Sequence, residues 1–305
     1  MEMMFLLVLG VIGLFGGLIG RSVLRGDAAL AALERAWNDA AARLGGELEV
    51  LDRAGVRVLR LIAPGESRAV ASVSSKVVST TVRCRYALGH GPRFELRWRM
   101  LGNGKDLPAG FWADDTAQAA TVLDDEARER IAAFPRLLTV RANGRELELS
   151  WPLNEDEAGV LVEAVELAQR MAGRGLSELT RLADALDGRL DAGQLRVQRG
   201  AIQVWLAIEE RDGVWAFVAS VPARVPCAPF RLRLDADALS ALPPGLCDPA
   251  RTPQTEGLGD AALRGDGEVV EVIWPGAPSD DEARAAVRLL EALGAPRGGG
   301  GGAFR

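Results

Sequence analysis

A ten-residue phrase occurs twice in this chain, as NGRELELSWP at 143–152 and as DGEVVEVIWP at 266–275. In the first copy Leu147, Leu149 and Trp151 alternate with polar residues, which predicts a strand with one buried face. The Asn-Gly and Asp-Gly pairs at the start of the copies are strong tight-turn signals. Each copy is therefore predicted to be the second strand of a β-hairpin.

The similarity extends to both sides of the phrase. Each copy runs through Trp-Pro into a predicted helix that ends at a glycine, Gly173 in the first copy and Gly294 in the second. Upstream, RFELRWR at 93–99 matches PFRLRLD at 229–235. Both halves thus have the order helix, several strands, hairpin and helix, which indicates a duplicated unit.

The predicted strands are too closely spaced for helical crossovers, so antiparallel sheets with flanking helices are expected. We predict an α+β fold with two tandem related units, repeat 1 at 27–173 and a shorter repeat 2 at 176–295, followed by a flexible glycine-rich tail at 296–305. In repeat 2, Val269 and Ile273 place apolar residues on the second face of the hairpin strand as well. This predicts a strand covered on both faces, by repeat 1 or by another protein.

The segment at 3–20, MMFLLVLGVIGLFGGLIG, contains no charged or polar side chain. As a helix it comes close to the roughly 30 Å thickness of a bilayer core, and with its flank it predicts a single transmembrane helix at 3–24. A cleaved signal peptide fits less well, because Glu2 and no basic residue precedes the apolar run and no A-x-A-like site follows it.

Arg21 and Arg25 follow this segment, whereas only the amino terminus is basic before it. The positive-inside rule then predicts an inner-membrane protein with the bulk of the chain in the cytoplasm. The alternative is the same chain facing the periplasm.

Four glycines of the segment form two pairs spaced four residues apart, Gly13 with Gly17 and Gly16 with Gly20. Small residues at this spacing allow two helices to approach closely in lipid, so these glycines are candidates for helix packing or self-association. The alternative is that glycine is simply common in transmembrane helices.

Charge and cysteine content exclude several classes of site. The net charge of −6 argues against nucleic acid as a partner. Cys84, Cys227 and Cys247 form neither a disulfide framework nor a metal-binding pair, and His90 is the one histidine. No metal or other cofactor is therefore predicted.

The chain has no dinucleotide or P-loop glycine motif, no GxSxG elbow and no HExxH. Its acidic pairs, such as Asp114-Asp115 and Asp124-Asp125, are adjacent residues, whose side chains point apart. We therefore predict no catalytic residue and no enzyme; the alternative is an enzyme with a site between the repeats.

One surface stands out from this background. TTVRCRY at 80–86 and RFELRWR at 93–99 are predicted to form a hairpin with one apolar core face that includes Phe94, Leu96 and Trp98. Four arginines then share the opposite face: Arg83, Arg85, Arg97 and Arg99. This predicts a surface that binds lipid headgroups or an acidic partner. The alternative is an ordinary solvated face, with Glu95 as a counter-ion.

The segment PAGFWADDTAQAATVLDDEARERI, at 108–131, contains Phe111 and the Leu123-Asp124 pair ahead of a predicted helix. With the short N-terminal anchor, the tandem α+β layout and the arginine- and alanine-rich composition, it resembles uncharacterised proteins of GC-rich bacteria such as myxobacteria. The resemblance implies the anchored tandem fold and no particular activity.

Together these observations predict a membrane-anchored, non-enzymatic binding or scaffolding module. Its expected partners are membrane lipid and either an unknown protein or a second copy of the chain, bound through the transmembrane helix.

Overall fold

The computed structural model describes residues 27–53, 56–74, 79–99, 107–234, 241–247 and 255–295. The chain divides into two compact units. The first contains the chain up to Ala119 and Leu123–Gly173, and the second contains Ala120–Val122 and the chain from Arg174. Each unit has its own antiparallel sheet, which confirms the predicted α+β fold with two antiparallel sheets.

The described part of the first unit starts with a helix, and two further helices lie between its strands in the chain. The helices are α1 (Asp27–Arg43), α2 (Thr116–Val122), α3 (Asp125–Ala133) and α4 (Ala158–Leu186), the last of which continues into the second unit. The strands are β1 (Glu47–Arg53), β2 (Val56–Ala63), β3 (Ala69–Ser74), β4 (Ser79–Arg85), β5 (Arg93–Trp98), β6 (Phe111–Ala113), β7 (Thr139–Asn143) and β8 (Glu146–Pro152).

The sheet of the first unit has the order β1-β2-β3-β4-β8-β7-β5-β6. Side chains alternate between its two faces, as expected for strands with one buried side. A single row of buried residues crosses the sheet from β2 to β6: Leu61, Ala71, Val82, Leu149, Val140, Leu96 and Ala113. Helices α1 and α4 contribute buried stripes of their own, including Trp37 and Leu161. The opposite sheet face carries the charged side chains.

The predicted hairpin of β4 with β5 is wrong, because β8 and β7 lie between these two strands. The connection between β4 and β5 instead passes around the tip of the β7–β8 hairpin. There Gly91 N donates to Gly144 O at 3.0 Å, and Gly144 N donates to Pro92 O at 3.2 Å. The ring of Tyr86 lies so close to Gly91 that a Cβ there would come within 2.5 Å of it, so a glycine is needed at this position.

The second unit contains the end of α4, the remaining strands and helix α5 (Asp280–Leu293). Its strands are β9 (Arg189–Asp191), β10 (Gln194–Arg199), β11 (Ile202–Arg211), β12 (Val214–Pro222), β13 (Phe230–Arg233), β14 (Ala262–Gly265) and β15 (Val269–Trp274). The sheet order is β13-β14-β15-β12-β11-β10-β9. Helix α5 lies against β11, β12 and β15. Ser279 caps its start in a capping box with Glu282, as the sequence indicates.

The two sheets share one topology. Read from β9, the second sheet has the order of the first, strand for strand, up to the position that β6 occupies at the end of the first. Both predicted hairpins are present, as β7 with β8 and as β14 with β15. The repeated phrase thus marks equivalent strands in two related sheets.

The predicted helix end at Gly173 is wrong. Helix α4 runs from Ala158 through Gly173 to Leu186. A glycine inside a helix costs about 1 kcal/mol relative to alanine. The buried side chains of Leu179, Leu182 and Leu186 beyond it offset that cost, since each gains roughly 1.5–3 kcal/mol when it leaves water.

The membrane part of the predicted fold class is corrected as well. Among the residues that the structure describes, no helix is both long enough and apolar enough to cross a bilayer. Helix α4 has the length but carries charged residues such as Glu163, Arg170 and Arg174. The predicted span at 3–24, with its glycines Gly13, Gly16, Gly17 and Gly20, lies outside the described residues, as does the tail at 296–305. The fold that the structure shows is therefore α+β with two antiparallel sheets, and its described residues include no transmembrane helix.

Candidate partner-binding surface

The charged face of the first sheet carries the arginines singled out in the sequence. Arg83 and Arg85 lie on β4, Arg97 lies on β5, and Arg99 follows directly after β5. All four are exposed. Because β8 and β7 separate β4 from β5, the structure places the four arginines as two pairs rather than as one cluster.

The space between the two pairs is filled by an ion-pair ladder, which consists of Arg83, Glu148, Arg141, Glu95 and Arg97. Arg83 Nε lies 2.8 Å from Glu148 Oε2, and Arg141 Nε lies 2.6 Å from Glu95 Oε1. Arg97 reaches the second oxygen of Glu95, also at 2.6 Å. Positive and negative side chains therefore alternate across four neighbouring strands.

The ladder changes the electrostatics of this face. The hydrogen bond from Arg97, together with Arg141, lowers the pKa of Glu95, so this carboxylate stays charged below the usual range. Glu95 also raises the pKa of Arg97. Arg85 lies opposite Glu146 in the register of β4 and β8. Two of the four arginines in the predicted anion-binding surface, Arg83 and Arg97, thus form ion pairs within the sheet.

Sequence reasoning found Glu95 as a counter-ion but missed Glu148 and Arg141. Their signal was present, because both lie in the duplicated hairpin and alternate with its buried residues. The missing information was the strand order, which places this hairpin between β4 and β5.

Arg99 lies outside the ladder, and within the described part of the chain Arg85 forms no ion pair either. Its guanidinium carbon lies 4.5 Å from the centre of the Trp112 ring, a cation–π contact. Among the residues that the structure describes, no carboxylate is within ion-pair distance of Arg99. Trp112 is on the edge strand β6 and directly opposite Arg97.

Large apolar side chains are exposed at this end of the sheet. Trp98 is 47% exposed and Trp112 is 38% exposed, and Leu137, just before β7, is also exposed. The prediction that Trp98 lies in the core is wrong. It is on the buried-face side of β5, but it is the last residue of the strand and lies beside Gly110, which offers no side chain to cover it. Trp98, Arg99, Trp112 and Leu137 are called the β5–β6 edge surface below.

A buried charge lies elsewhere in the first unit, and sequence reasoning did not find it. Both oxygens of Glu155, whose side chain is 0% exposed, accept hydrogen bonds from Arg136 at 3.0 Å. Trp151 Nε1 donates to the same carboxylate at 3.1 Å. The backbone of Glu155 accepts from Trp37 Nε1 at 2.9 Å and donates to Thr80 Oγ1 at 2.9 Å. This residue therefore joins α1, β4, β8 and the segment before β7.

The carboxylates of Glu155, Asp156 and Glu157 offer ligand atoms within 4.8 Å of one another, a spacing that a metal ion accepts. However, both oxygens of Glu155 are already bound by the Arg136 guanidinium, and Glu157 accepts from it at 2.9 Å. A second cation at this position would be repelled by the first, so we interpret the group as a structural ion pair.

No protein-family model matches the chain, and no curated protein matches it. Among solved structures, it is similar to the crystal structure of the mycobacterial trehalose monomycolate transport factor A, TtfA. The identity is 11% and the TM-score 0.35, and the match covers 46% of this chain and 92% of that chain. This likeness is too low to carry an argument about function. The resemblance to tandem proteins of GC-rich bacteria stays a prediction.

Proposed function

We propose that the chain is a non-enzymatic binding module whose first unit contacts an acidic segment of a protein partner through the β5–β6 edge surface. The observation that carries the proposal is the exposure of Trp112 in contact with Arg99, with Trp98 also exposed at the end of β5. Full burial of a large apolar side chain is worth roughly 1.5–3 kcal/mol, and the exposed part of these two rings lacks its share of that stabilisation. A bound partner would recover it.

The composition of the surface fits a partner contact. Tryptophan and arginine are the residue types most enriched among those that dominate binding energy at protein interfaces. Stacking on Trp112 holds the Arg99 guanidinium in one place, which reduces the entropy lost when it binds a carboxylate.

Charge complementarity selects the partner. Along the ladder each arginine has a carboxylate in the same sheet, whereas Arg99 has none among the described residues. An incoming carboxylate could therefore pair with the Arg99 guanidinium next to the Trp112 ring. Among the described strands β6 has a neighbour on one side only, and on its other side an extended segment could add main-chain hydrogen bonds.

The thiol in this sheet does not have the properties of a nucleophile. Cys84 is buried, and burial raises its pKa to about 12, so it stays protonated at neutral pH. A protonated, enclosed thiol is a poor nucleophile. Its Sγ donates to Ser67 O at 3.2 Å, which is a structural role.

Site-specific photo-crosslinking in the source organism tests the proposal. A photoreactive residue replaces Trp112 in the full chain. The control position is Val50, which is 47% exposed on β1 at the opposite edge of the same sheet. We expect a crosslinked protein at position 112 that is absent at position 50.

The captured protein is then purified, and its affinity for the full chain is measured by calorimetry. We expect Trp112→Ala and Arg99→Glu each to weaken binding at least tenfold, and Val50→Ala to leave it unchanged. Equal crosslinking at the two positions, or an affinity that Arg99→Glu does not alter, would refute the proposed surface.

A further inference from the structure

The second unit contains a cavity on the sheet face that points away from α5. Along β11, Val204, Leu206 and Ile208 point toward the helix side and are buried. Trp205, Ala207 and Glu209 alternate with them and therefore lie on the other face. A cavity of about 210 Å³ lies over these residues, between β10, β11 and β12.

The walls of this cavity are partly apolar, and the one ionisable side chain among its described lining residues is acidic. Trp205, Ala207 and Val218 provide apolar surface, and Ser220 is opposite Trp205 in the register of β11 and β12. Among the described residues that line the cavity, Glu209 is the only charged one. The Glu209 side chain is 35% exposed, and Trp205 lies on the same strand face two alternate positions away; a carboxylate and an indole ring on one cavity wall favour an organic cation.

The surrounding polar groups include both acceptors and donors, and Arg196 lies directly opposite Trp205 in the register of β10 and β11. Gln203 precedes Trp205 by two residues on the same face of β11 and is only 7% exposed, and its Oε1 has no hydrogen-bond partner among the described residues. Arg211 lies 2.6 Å from a carboxylate oxygen of Glu209 and 2.8 Å from one of Glu271. One guanidinium thus serves two carboxylates, which leaves this group with a net negative charge.

We propose that this cavity binds a small alkylammonium group. The ammonium would lie near Glu209 and the alkyl chain against Trp205, Ala207 and Val218. The cavity is smaller than the roughly 300–1,000 Å³ of sites that take drug-sized ligands, so its ligand is a short amine or a single side chain. The same chemistry is offered by a free amine and by the lysine side chain of a protein.

Ligand-observed NMR titrations on the purified full chain test the cation. The probes are butylammonium, the neutral 1-butanol and the anionic butyrate, at matched ionic strength. These three share the apolar chain and differ in the charged group. We expect butylammonium to bind at least tenfold more tightly than either of the others.

Two charge-neutral substitutions locate the site. Glu209→Gln is expected to weaken butylammonium binding at least tenfold. Glu210→Gln removes the same charge from the neighbouring residue, whose side chain points to the opposite side of β11 and is exposed, and should leave binding unchanged. Trp205→Leu keeps an apolar wall and removes the ring, so it should weaken butylammonium binding without strengthening that of butanol. Amide hydrogen exchange of β11 checks that each variant is folded.

The source of the ligand is read from a second titration with an acetyl-Gly-Lys-Gly-amide peptide. Tighter binding of the peptide than of butylammonium indicates a protein lysine, and binding no tighter indicates a free amine. Binding of butanol or butyrate as tight as that of butylammonium, no binding of any probe, or equal affinities for Glu209→Gln and Glu210→Gln would overturn the proposal.

Discussion

The buried ion pair of the first unit allows a sharp test of how burial controls the energetics of this fold. The change is Arg136→Met, which keeps most of the apolar side-chain length and removes the guanidinium. It leaves the Glu155 carboxylate enclosed, with only Trp151 Nε1 and the backbone N–H of Glu157 as donors.

The magnitude follows from the exposure of the two partners. The side chain of Glu155 is 0% exposed, so no water can replace the two hydrogen bonds that Arg136 supplies. Removing one partner of a buried pair typically costs about 3–5 kcal/mol, because the other charge is left unpaired in a low dielectric. The matched control is Arg83→Met in the ladder, where the arginine side chain is 58% exposed. Exposed pairs are worth about 0–1 kcal/mol.

Urea unfolding followed by circular dichroism gives the free energy of unfolding, and hydrogen exchange locates the change. The chain has two units, so peptides that cover β8 and β15 report on them separately. We expect Arg136→Met to lose protection in β8 and keep it in β15. The double variant Arg136→Met/Glu155→Gln should recover at least about 1 kcal/mol, because it removes the unpaired charge.

The reasoning is refuted if Arg136→Met and Arg83→Met cost the same, or if the double variant is less stable than the sum of its single changes. Either result would mean that the carboxylate of Glu155 is not held in a low-dielectric environment by this one arginine.

Three further outcomes are expected. Trp151→Phe should cost about 1–3 kcal/mol of unfolding free energy, because the indole Nε1 of Trp151 donates to a buried carboxylate. Trp274→Phe should cost less, because the Nε1 of Trp274 has no hydrogen-bond partner among the described residues. Urea unfolding compares the two variants. Glu95→Gln should reduce stability at neutral pH but not in strong acid. The pKa of Glu95 is lower in the folded state, so its charged form stabilises the fold above the unfolded pKa, and this contribution is lost as the pH falls through the folded pKa. Unfolding curves of the wild type and the variant, measured at a series of pH values, should therefore converge in acid. Ser279→Ala should cost about 1 kcal/mol by removal of the α5 cap, measured by thermal unfolding; no change would show that the capping box is not formed in solution.

The parts of the fold that could be predicted depend on local pattern. The alternation of Leu147, Leu149 and Trp151 is a property of neighbouring residues, and the turn pairs before each copy favour hairpins over any other connection. The cap at Ser279 is equally local.

The parts that were mispredicted depend on pairing between distant segments. Nothing between Tyr86 and Gly91 shows that the chain must pass around a hairpin that comes about fifty residues later, so β4 and β5 were paired with each other. Gly173 matches the pattern of a glycine at a helix end, and this local pattern takes no account of the leucines that follow.

The candidate surface was predicted in part for the same reason. The alternation of polar and apolar residues correctly predicts that Arg83 and Arg97 lie on the exposed face. Glu148 and Arg141, which complete the ladder, lie on β8 and β7, and the sequence does not show that these strands lie between β4 and β5. The β5–β6 edge surface was missed, since Trp98 was assigned to the core on alternation alone. Exposure at the end of a strand depends on what its neighbour offers, and Gly110 offers no side chain.

The tryptophan present in both copies of the repeated phrase shows which features the two units share and which differ. Trp151 and Trp274 occupy equivalent, buried strand positions, and each is followed by a helix. The indole N–H of Trp151 donates to the carboxylate of Glu155, four residues later. The indole N–H of Trp274 has no such partner within the described residues, and the polar residues that follow Trp274 cap α5 instead. The apolar pattern that sets strand order is therefore shared, while the polar groups have diverged. Since sites are built from polar and exposed groups on a common scaffold, the two units are expected to bind different ligands. This is why the proposals for the β5–β6 edge surface and for the cavity at Glu209 are independent of each other.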